Sequence, residues 1–174
     1  MEFFDAVTLS FGTAGTGGFG VKNSSIADYS VYCQWVITAF MILFGINFNA
    51  YYLILLKHVK DAFSMEEVRA YLAIILGAVT VIFISILDLC EGVFDALTQA
   101  FFQVASIITT TGYSTADFDL WPTTAKLTLV ILMFIGACAG STGGGIKVSR
   151  FLIVGKTVGK EFGSYVHPKS IKKL

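Results

Sequence analysis

Charged side chains are scarce in this 174-residue chain, in which Asp, Glu, Lys and Arg together make up 14% of the residues. Typical soluble domains carry about a quarter of their residues as charged types. Hydrophobic residues reach 55%, and the mean hydropathy is +0.75. The scarcity of charge excludes an ordinary soluble domain and predicts a chain that lies in a lipid bilayer.

Cysteine and histidine are also few. Cys33, Cys90 and Cys138 lie far apart, form no CxxC pair and have no neighbouring histidine. Neither a zinc site nor a disulfide framework is indicated, so we interpret these cysteines as small apolar residues. A basic signal-peptide region is missing as well, since residues 1–5 are acidic in character. We expect no covalent cofactor and no nucleic-acid partner.

Apolar runs divide the chain into expected helices. Residues 31–56 and 70–89 reach the length of about 20 residues that a span requires. A third apolar run extends from residue 123 to about residue 139. Residues 3–11 are too short to cross a bilayer and residues 91–108 are doubtful as a full span, so both are expected to dip in and return. Ser64 followed by Glu67 matches a capping box and predicts the start of the second span.

This order of elements occurs twice. Sliding the chain by 94 positions places Gly18 on Gly112 and Phe19 on Tyr113, which indicates an internal repeat. A unit of span, re-entrant pore helix, filter loop and span is the building plan of potassium-selective pores. The sequence therefore predicts a partial, K+-channel-like, all-α membrane protein. Residues 1–60 form a unit without its first span, and residues 61–174 form a complete unit with a basic tail.

The turn at residues 107–116 (IITTTGYSTA) carries no ionised side chain. Backbone carbonyl and hydroxyl oxygens are what such a turn offers, and these groups replace the hydration shell of an alkali cation. The turn is therefore predicted to act as a cation filter.

The last apolar run breaks into glycines. Five lie within ten residues: Gly136, Gly140, Gly143, Gly144 and Gly145. Irregular backbone at membrane depth is tolerated only where it lines a water-filled path or is buried in protein. Three consecutive glycines cost about 3 kcal/mol of helix propensity relative to alanine, so a continuous helix is not expected there. Close helix packing is the preferred explanation for Gly45, Gly77 and Gly136.

Two nucleotide-binding motifs come close to matching. Residues 15–20 (GTGGFG) fit a dinucleotide fingerprint, but no βαβ pattern surrounds them. Residues 140–147 (GSTGGGIK) approach a phosphate-binding loop, yet the lysine stands one place late and Val148 replaces the Ser or Thr that would bind magnesium. Neither motif has its structural context, and we do not expect an enzyme.

Basic residues are unevenly placed along the chain. Ten of the twelve lie in two segments: Lys57, Lys60, Arg69, Lys147, Arg150, Lys156, Lys160, Lys169, Lys172 and Lys173. This bias predicts that residues 57–69 and the chain from residue 147 onward are cytoplasmic. Most carboxylates then fall on the outer side, where negative charge would concentrate cations.

Four segments resemble the membrane subunit of bacterial Trk potassium-uptake systems, in the Trk/Ktr/HKT superfamily. They are FDAVTLSFGTAGTGGFG, QAFFQVASIITTTGYSTADFDLWP, GACAGSTGGGIKVSR and the VHP of residues 166–168. The likeness covers nearly the whole chain. Members of that family carry four repeats around one pore, and this chain is similar to the second and third. The resemblance implies potassium uptake, with potassium as substrate, in a multi-pass protein of the cell inner membrane.

The resemblance also implies the site residues. Gly18 and Gly112 would be the filter glycines whose backbone binds K+, with neighbouring backbone from Gly17, Phe19, Thr110, Thr111 and Tyr113. The glycine loop would be the intramembrane gate and comprises Ala139, Gly140, Ser141, Thr142, Gly143, Gly144 and Gly145. Lys147 and Arg150 would anchor this loop at the cytoplasmic interface.

The implied partners are the lipid bilayer, the remaining repeats, a second copy in a homodimer of the full protein, and a peripheral cytoplasmic nucleotide-binding regulatory subunit. Channel-like transport and symport with H+ or Na+ both stay open. The alternative function is a non-conducting membrane scaffold or assembly subunit. Two filter turns surround a cation on only half its circumference, so the chain alone is expected to be a poorly stable, non-conducting fragment. In it, Thr8, Ser10, Asn47 and Asn49 would lack polar partners.

Overall fold

The computed structural model describes residues 1–166, with side chains for residues 1–162. His167, Pro168 and the predicted cytoplasmic residues Lys169, Lys172 and Lys173 lie outside the described residues. The helices are α1 (Phe3–Ala14), α2 (Val31–Phe44), α3 (Phe48–Leu55), α4 (Val59–Ser64), α5 (Glu66–Ile86), α6 (Val93–Ile108), α7 (Thr123–Phe134) and α8 (Val148–Val166). A 3-10 turn, Phe118–Leu120, precedes α7.

The described chain is all-α, as predicted. Its β-type pairing, within residues 1–166, is limited to an isolated parallel bridge between Ile135 and Ile146. The order of elements is short helix, turn and broken helix, followed by long helix, short helix, turn and broken helix. This order agrees with the repeated units that the sequence predicts.

Helix α6 lies at the centre of the fold. Ala96, Ala100, Val104 and Ile108 recur at every fourth position and are fully buried. Residues four apart lie on one face of a helix, so these side chains form a single stripe. The stripe and the inward face of α5 form one hydrophobic core. That face of α5 carries Tyr71, Ile75, Val79, Ile82 and Ile86. Because α2, α5 and α7 all contact α6, the turn that follows α6 is held from several sides.

The predicted span at residues 31–56 is broken, so its continuity was wrong. Helices α2 and α3 meet at an angle of 91°. Gly45 ends α2, and the side chain of Asn47 begins α3 by accepting a hydrogen bond from the N–H of Asn49. The hydroxyl of Tyr71 donates to the carbonyl of Ile42 at 3.2 Å and occupies the space where a side chain at residue 45 would lie.

Helix α5 is the one described helix long and apolar enough to cross a membrane by itself, and the bent α2–α3 pair is the second candidate. The predicted capping box is wrong. Ser64 ends α4, a helix that we did not expect, and α5 begins at Glu66 after Met65, which makes no side-chain cap. The carboxylate of Glu67 instead accepts hydrogen bonds from the N–H groups of Ala139 and Ser149, which lie far away in sequence.

The third predicted span is shorter than expected. Helix α7 ends at Phe134, and residues 135–147 form a connection that begins and ends at the isolated bridge. The predicted helix packing is supported at Gly45, where an added Cβ would collide with Tyr71 of α5, but not at Gly136, where it would collide with the carbonyl of Gly144 in the glycine loop. It is not observed at Gly77, which has no described atom within 4 Å of an added Cβ.

Two of the polar residues expected to lack partners have them. The hydroxyl of Ser10 donates to the carbonyl of Ala6 at 2.7 Å. Asn47 accepts from Asn49 and donates to Glu67. Local helix geometry satisfies the hydroxyl, and a contact distant in sequence satisfies the amide.

Candidate functional site

Helices α1 and α6 each run into a turn. The first turn comprises residues 15–20, and the second turn comprises residues 109–114. Both helices point their C-terminal ends at these turns, where the helix dipole places partial negative charge. Neither turn contains an ionised side chain. Their electrostatics therefore come from backbone dipoles and hydroxyl groups.

The two turns fold in the same way. The N–H of Gly17 donates to the carbonyl of Gly12 at 2.8 Å, and the N–H of Thr111 donates to the carbonyl of Ser106 at 3.0 Å. Donor and acceptor in the second bond lie 94 positions after their counterparts in the first. The repeat inferred from sequence thus extends to individual hydrogen bonds.

Each turn contains two residues in the left-handed backbone region. Thr16 and Gly18 have φ values of 49° and 69°, and the equivalent Thr110 and Gly112 have 58° and 85°. A side chain at such a φ is strained, because Cβ approaches the following carbonyl. Glycine avoids this strain at one position of each turn, whereas a threonine accepts it at the other.

The turns also lie against one another. A Cβ added at Gly18 would collide with the backbone carbonyl of Thr111, whereas a Cβ at Gly112 would meet no described atom within 4 Å. The two predicted filter glycines therefore share a backbone conformation but differ in the space around them.

Six carbonyl oxygens at equivalent positions of these turns are free. No donor in the described part of the chain forms a hydrogen bond to the carbonyls of Thr16, Gly17, Gly18, Thr110, Thr111 and Gly112. Of these residues Thr111 is buried, Thr16 and Gly18 are half-buried, and Gly17, Thr110 and Gly112 are exposed. These carbonyls are available to a ligand that accepts oxygen donors.

The flanking aromatic residues differ from that pattern. The hydroxyl of Tyr113 donates to the carbonyl of Phe19 at 3.1 Å, and the hydroxyl of Ser106 donates to the carbonyl of Tyr113 at 2.6 Å. Tyr113 is 1% exposed, but the ring of Phe19 is 79% exposed. The structure therefore places both predicted residues beside the free carbonyls, while their own carbonyls are already bonded.

The glycine loop contacts both turns through equivalent threonines. The hydroxyl of Thr16 lies 3.0 Å from the carbonyl of Thr142, and the hydroxyl of Thr110 accepts from the N–H of Gly144 at 2.7 Å. A Cβ at Gly143 would lie 3.1 Å from the carbonyl of Thr109, so the loop packs directly on the second turn. The structure brings together the loop and both turns.

Other contacts hold the same loop from the side. The N–H of Phe48 donates to the carbonyl of Gly140 at 3.0 Å, and the hydroxyl of Ser141 donates to the carbonyl of Cys138 at 2.6 Å. The ammonium of Lys147 donates to the carbonyl of Gly143. Arg150, by contrast, is exposed. Lys147 thus folds onto the loop, and the anchoring role of the pair at a membrane interface stays a prediction.

One predicted outer carboxylate is already engaged. Asp5, 7% exposed, accepts a hydrogen bond of 2.8 Å from the hydroxyl of Tyr29. Burial, and then the bond to Asp5, raise the pKa of Tyr29 to about 12. The ammonium of Lys22 lies 4.6 Å from the centre of the Tyr29 ring. Asp5 therefore belongs to a bonded cluster near the start of α1.

Three residues of this site were missed by sequence reasoning. Thr16 could have been found, since it lies 94 positions before the predicted Thr110. Ser106 lies inside α6 and carries no signal of its bond to Tyr113. Glu67 was predicted to cap the start of its own helix. Its carboxylate instead bonds Ala139 and Ser149, which are far away in sequence.

Short helices that end in turns with free carbonyls occur twice in the chain, and the spans beside them are broken. These features define an all-α membrane protein built from repeated re-entrant units. The chain belongs to the TrkH family of cation transport proteins, whose family model matches residues 1–174. It is 33% identical to the Trk system potassium uptake protein TrkH of Salmonella typhimurium, over 100% of this chain and 37% of that protein. It is 32% identical to TrkG of Escherichia coli K12, over 98% of this chain and 36% of that protein.

A solved structure shows the same fold. The crystal structure of the potassium transporter TrkH from Vibrio parahaemolyticus matches with a TM-score of 0.94 at 33% identity. The match covers 100% of this chain and 38% of that chain. The chain thus spans less than two fifths of the length of the relatives that it matches, and the predicted membership of the Trk family is confirmed.

Proposed function

We propose that the chain forms part of the potassium pathway of an uptake transporter in the cell inner membrane. The observation that supports this most strongly is the set of six free carbonyls in two equivalent turns. Carbonyl oxygens replace the water molecules around a potassium ion. In this proposal the backbone at Gly18 and Gly112 binds K+, and Gly17, Thr110 and Thr111 supply neighbouring oxygens.

Several features of the site favour a cation over an anion. The C-terminal ends of α1 and α6 direct partial negative charge at the turns. Neither turn offers an ionised side chain, so a dehydrated cation meets neutral dipoles and can leave again. Phe19 and Tyr113 frame the free carbonyls, and the bond between them fixes the spacing of the two turns.

The glycine loop is assigned the role of a gate. It contacts both turns through Thr16 and Thr110. A segment at that position obstructs the exit of an ion from the turns. Lys147 holds the loop at Gly143, and the exposed Arg150 of α8 is assigned the role of a second anchor at the cytoplasmic interface. Opening then requires that the loop give up its bonds to the two threonines.

The pathway is completed by other partners. Two turns supply oxygens to only part of a cation's surface, so the remaining repeats of the transporter provide the rest. By family membership we extend the proposal to a lipid-embedded homodimer of the full protein with a peripheral nucleotide-binding regulatory subunit. Residues 1–60 and 61–174 act as two of its repeats.

Rubidium uptake into vesicles tests this function. The full-length transporter that contains this chain is reconstituted, and uptake is measured with potassium or sodium as competitor. Gly112→Ser should lower the preference for potassium over sodium, because φ of 85° disfavours any residue with a Cβ. Gly155→Ser is the matched control, since Gly155 lies in α8 with no described atom within 4 Å of an added Cβ.

The outcomes separate the proposal from its alternative. Selective uptake that weakens in Gly112→Ser but not in Gly155→Ser supports the filter assignment. Normal flux with unchanged ion preference in Gly112→Ser would show that this turn is not the filter. A reconstituted transporter that takes up no rubidium would favour a scaffold role instead.

A further inference from the structure

The carboxylate of Glu67 accepts three hydrogen bonds from three separate segments. One oxygen accepts from the N–H of Ala139 at 2.6 Å and from the N–H of Ser149 at 3.2 Å. The other oxygen accepts from the side-chain amide of Asn47 at 3.2 Å. Hydrogen bonds to an ionised acceptor are roughly twice as strong as neutral ones. This single side chain therefore links parts of the chain that sequence separates widely.

The positions of these donors relate Glu67 to the glycine loop. Ala139 is the first residue of the loop, and Ser149 lies in the first turn of α8, shortly after the loop ends. The first N–H groups of a helix have no partner within it, so a carboxylate is favourable there. The start of the glycine loop and the first turn of α8 are thus fixed to one side chain of α5.

The third donor extends the link to the other repeat. Asn47, 7% exposed, lies in the break between α2 and α3 and also caps α3. A Cβ at Gly140 would lie 3.3 Å from the side-chain oxygen of Asn47, so the loop packs on this amide. The break in the first repeat and the loop in the second therefore share Glu67 as a common attachment.

Resting on the proposed function, we propose that Glu67 is a positioning residue that holds the glycine loop in its obstructing position against both filter turns. Thr16 and Thr110 hold the middle of the loop, and Glu67 holds its start and the helix that follows it. Weakening the Glu67 attachment frees the loop to leave the turns. The carboxylate then sets the basal flux of potassium in the absence of any regulator.

The test uses the full-length transporter in vesicles without a regulatory subunit. Glu67→Gln removes the charge and one of the two strong acceptors while keeping the size of the side chain. Glu66→Gln is the matched control, because Glu66 is its neighbour on α5, is exposed and pairs with Lys156. Each variant is also made in a background that lacks Gly143 and Gly144, in which the bond from the loop to Thr110 is lost.

Glu67→Gln should raise basal rubidium uptake about tenfold, the factor that corresponds to a shift of about 1.4 kcal/mol in the position of the loop. Glu66→Gln should leave uptake unchanged, and Glu67→Gln should add nothing in the shortened-loop background. Equal uptake in the Glu67 and Glu66 variants would overturn the inference. So would the same fold-change in both backgrounds, since Glu67 would then act on the fold and not through the loop.

A second variant covers the case in which Glu67→Gln does not assemble. Glu67→Asp keeps the charge but withdraws the carboxylate from Ala139 by one methylene. Uptake above that of the unmodified transporter supports the inference, and uptake at or below it refutes it. If the unmodified transporter takes up no rubidium, the proposed function itself fails. The inference fails alone when the unmodified transporter conducts and the Glu67 variants behave as Glu66→Gln.

Discussion

Replacing Gly18 and Gly112 with alanine, one at a time, separates backbone strain from collision. Both glycines have positive φ, at 69° and 85°. An added Cβ at Gly112 meets no described atom within 4 Å, whereas at Gly18 it collides with the carbonyl of Thr111. We expect Gly18→Ala to damage the transporter much more than Gly112→Ala does.

The magnitudes follow from the two effects. A left-handed backbone costs a residue with a Cβ about 1–2 kcal/mol, and both variants carry that cost. Overpacking against well-packed neighbours adds about 1–3 kcal/mol, and this applies to Gly18→Ala alone. The neighbour at Gly18 is backbone, so it cannot move aside as a flexible side chain would. A difference of about 1–3 kcal/mol corresponds to about 5- to 150-fold in an equilibrium.

Melting temperature in detergent and rubidium uptake in vesicles measure the two variants side by side. Gly18→Ala should melt at a lower temperature than Gly112→Ala and should lose most uptake, because displacement of Thr111 moves a free carbonyl of the other turn. Gly112→Ala should keep substantial uptake with weaker potassium preference. Equal losses in both variants, or a smaller loss at Gly18, would refute the reasoning from the contact between the turns.

Two further predictions concern the loop and the isolated chain. Deleting Gly143 and Gly144 should raise basal rubidium uptake of the full-length transporter, because the bond from Gly144 to Thr110 is lost; unaltered or lower uptake with intact expression would identify the loop as a structural kink. The 174-residue chain alone should be poorly stable in detergent and should not conduct, since α1 exposes Phe3, Phe4 and Phe11 at 86%, 68% and 75%. Measuring the mass of the purified chain and its rubidium uptake in vesicles checks this prediction. A stable monomer that conducts selectively would contradict it. A conducting dimer would mean that two copies together imitate four repeats.

Features with a local cause could be predicted from the sequence. The interval of 94 positions predicted the repeat, and the structure shows the same hydrogen bonds at Gly17 and Thr111. Glycines at 18 and 112 coincide with positive φ because glycine tolerates that region. Apolar length predicted α5 to within a few residues at each end.

Features that depend on distant contacts could not be predicted. The span at residues 31–56 reads as continuous, and its break at Gly45 is stabilised by Tyr71, which lies on another helix. Glu67 matched a local capping pattern, yet its partners Ala139 and Ser149 lie 72 and 82 positions away. A local motif competes with such contacts, and tertiary hydrogen bonds to a charged group outweigh a cap of about 1 kcal/mol.

The bond from Tyr113 to Phe19 joins two positions that the repeat makes equivalent. Phenylalanine has no hydroxyl and cannot return the bond, so the contact runs in one direction only. In a ring of identical subunits every position around the axis carries the same residue, and each interface is the same. Fusing the repeats into one chain removes that restriction. The contact between the two turns then has a direction, set by which repeat carries the tyrosine, and exchanging the two repeats would reverse it.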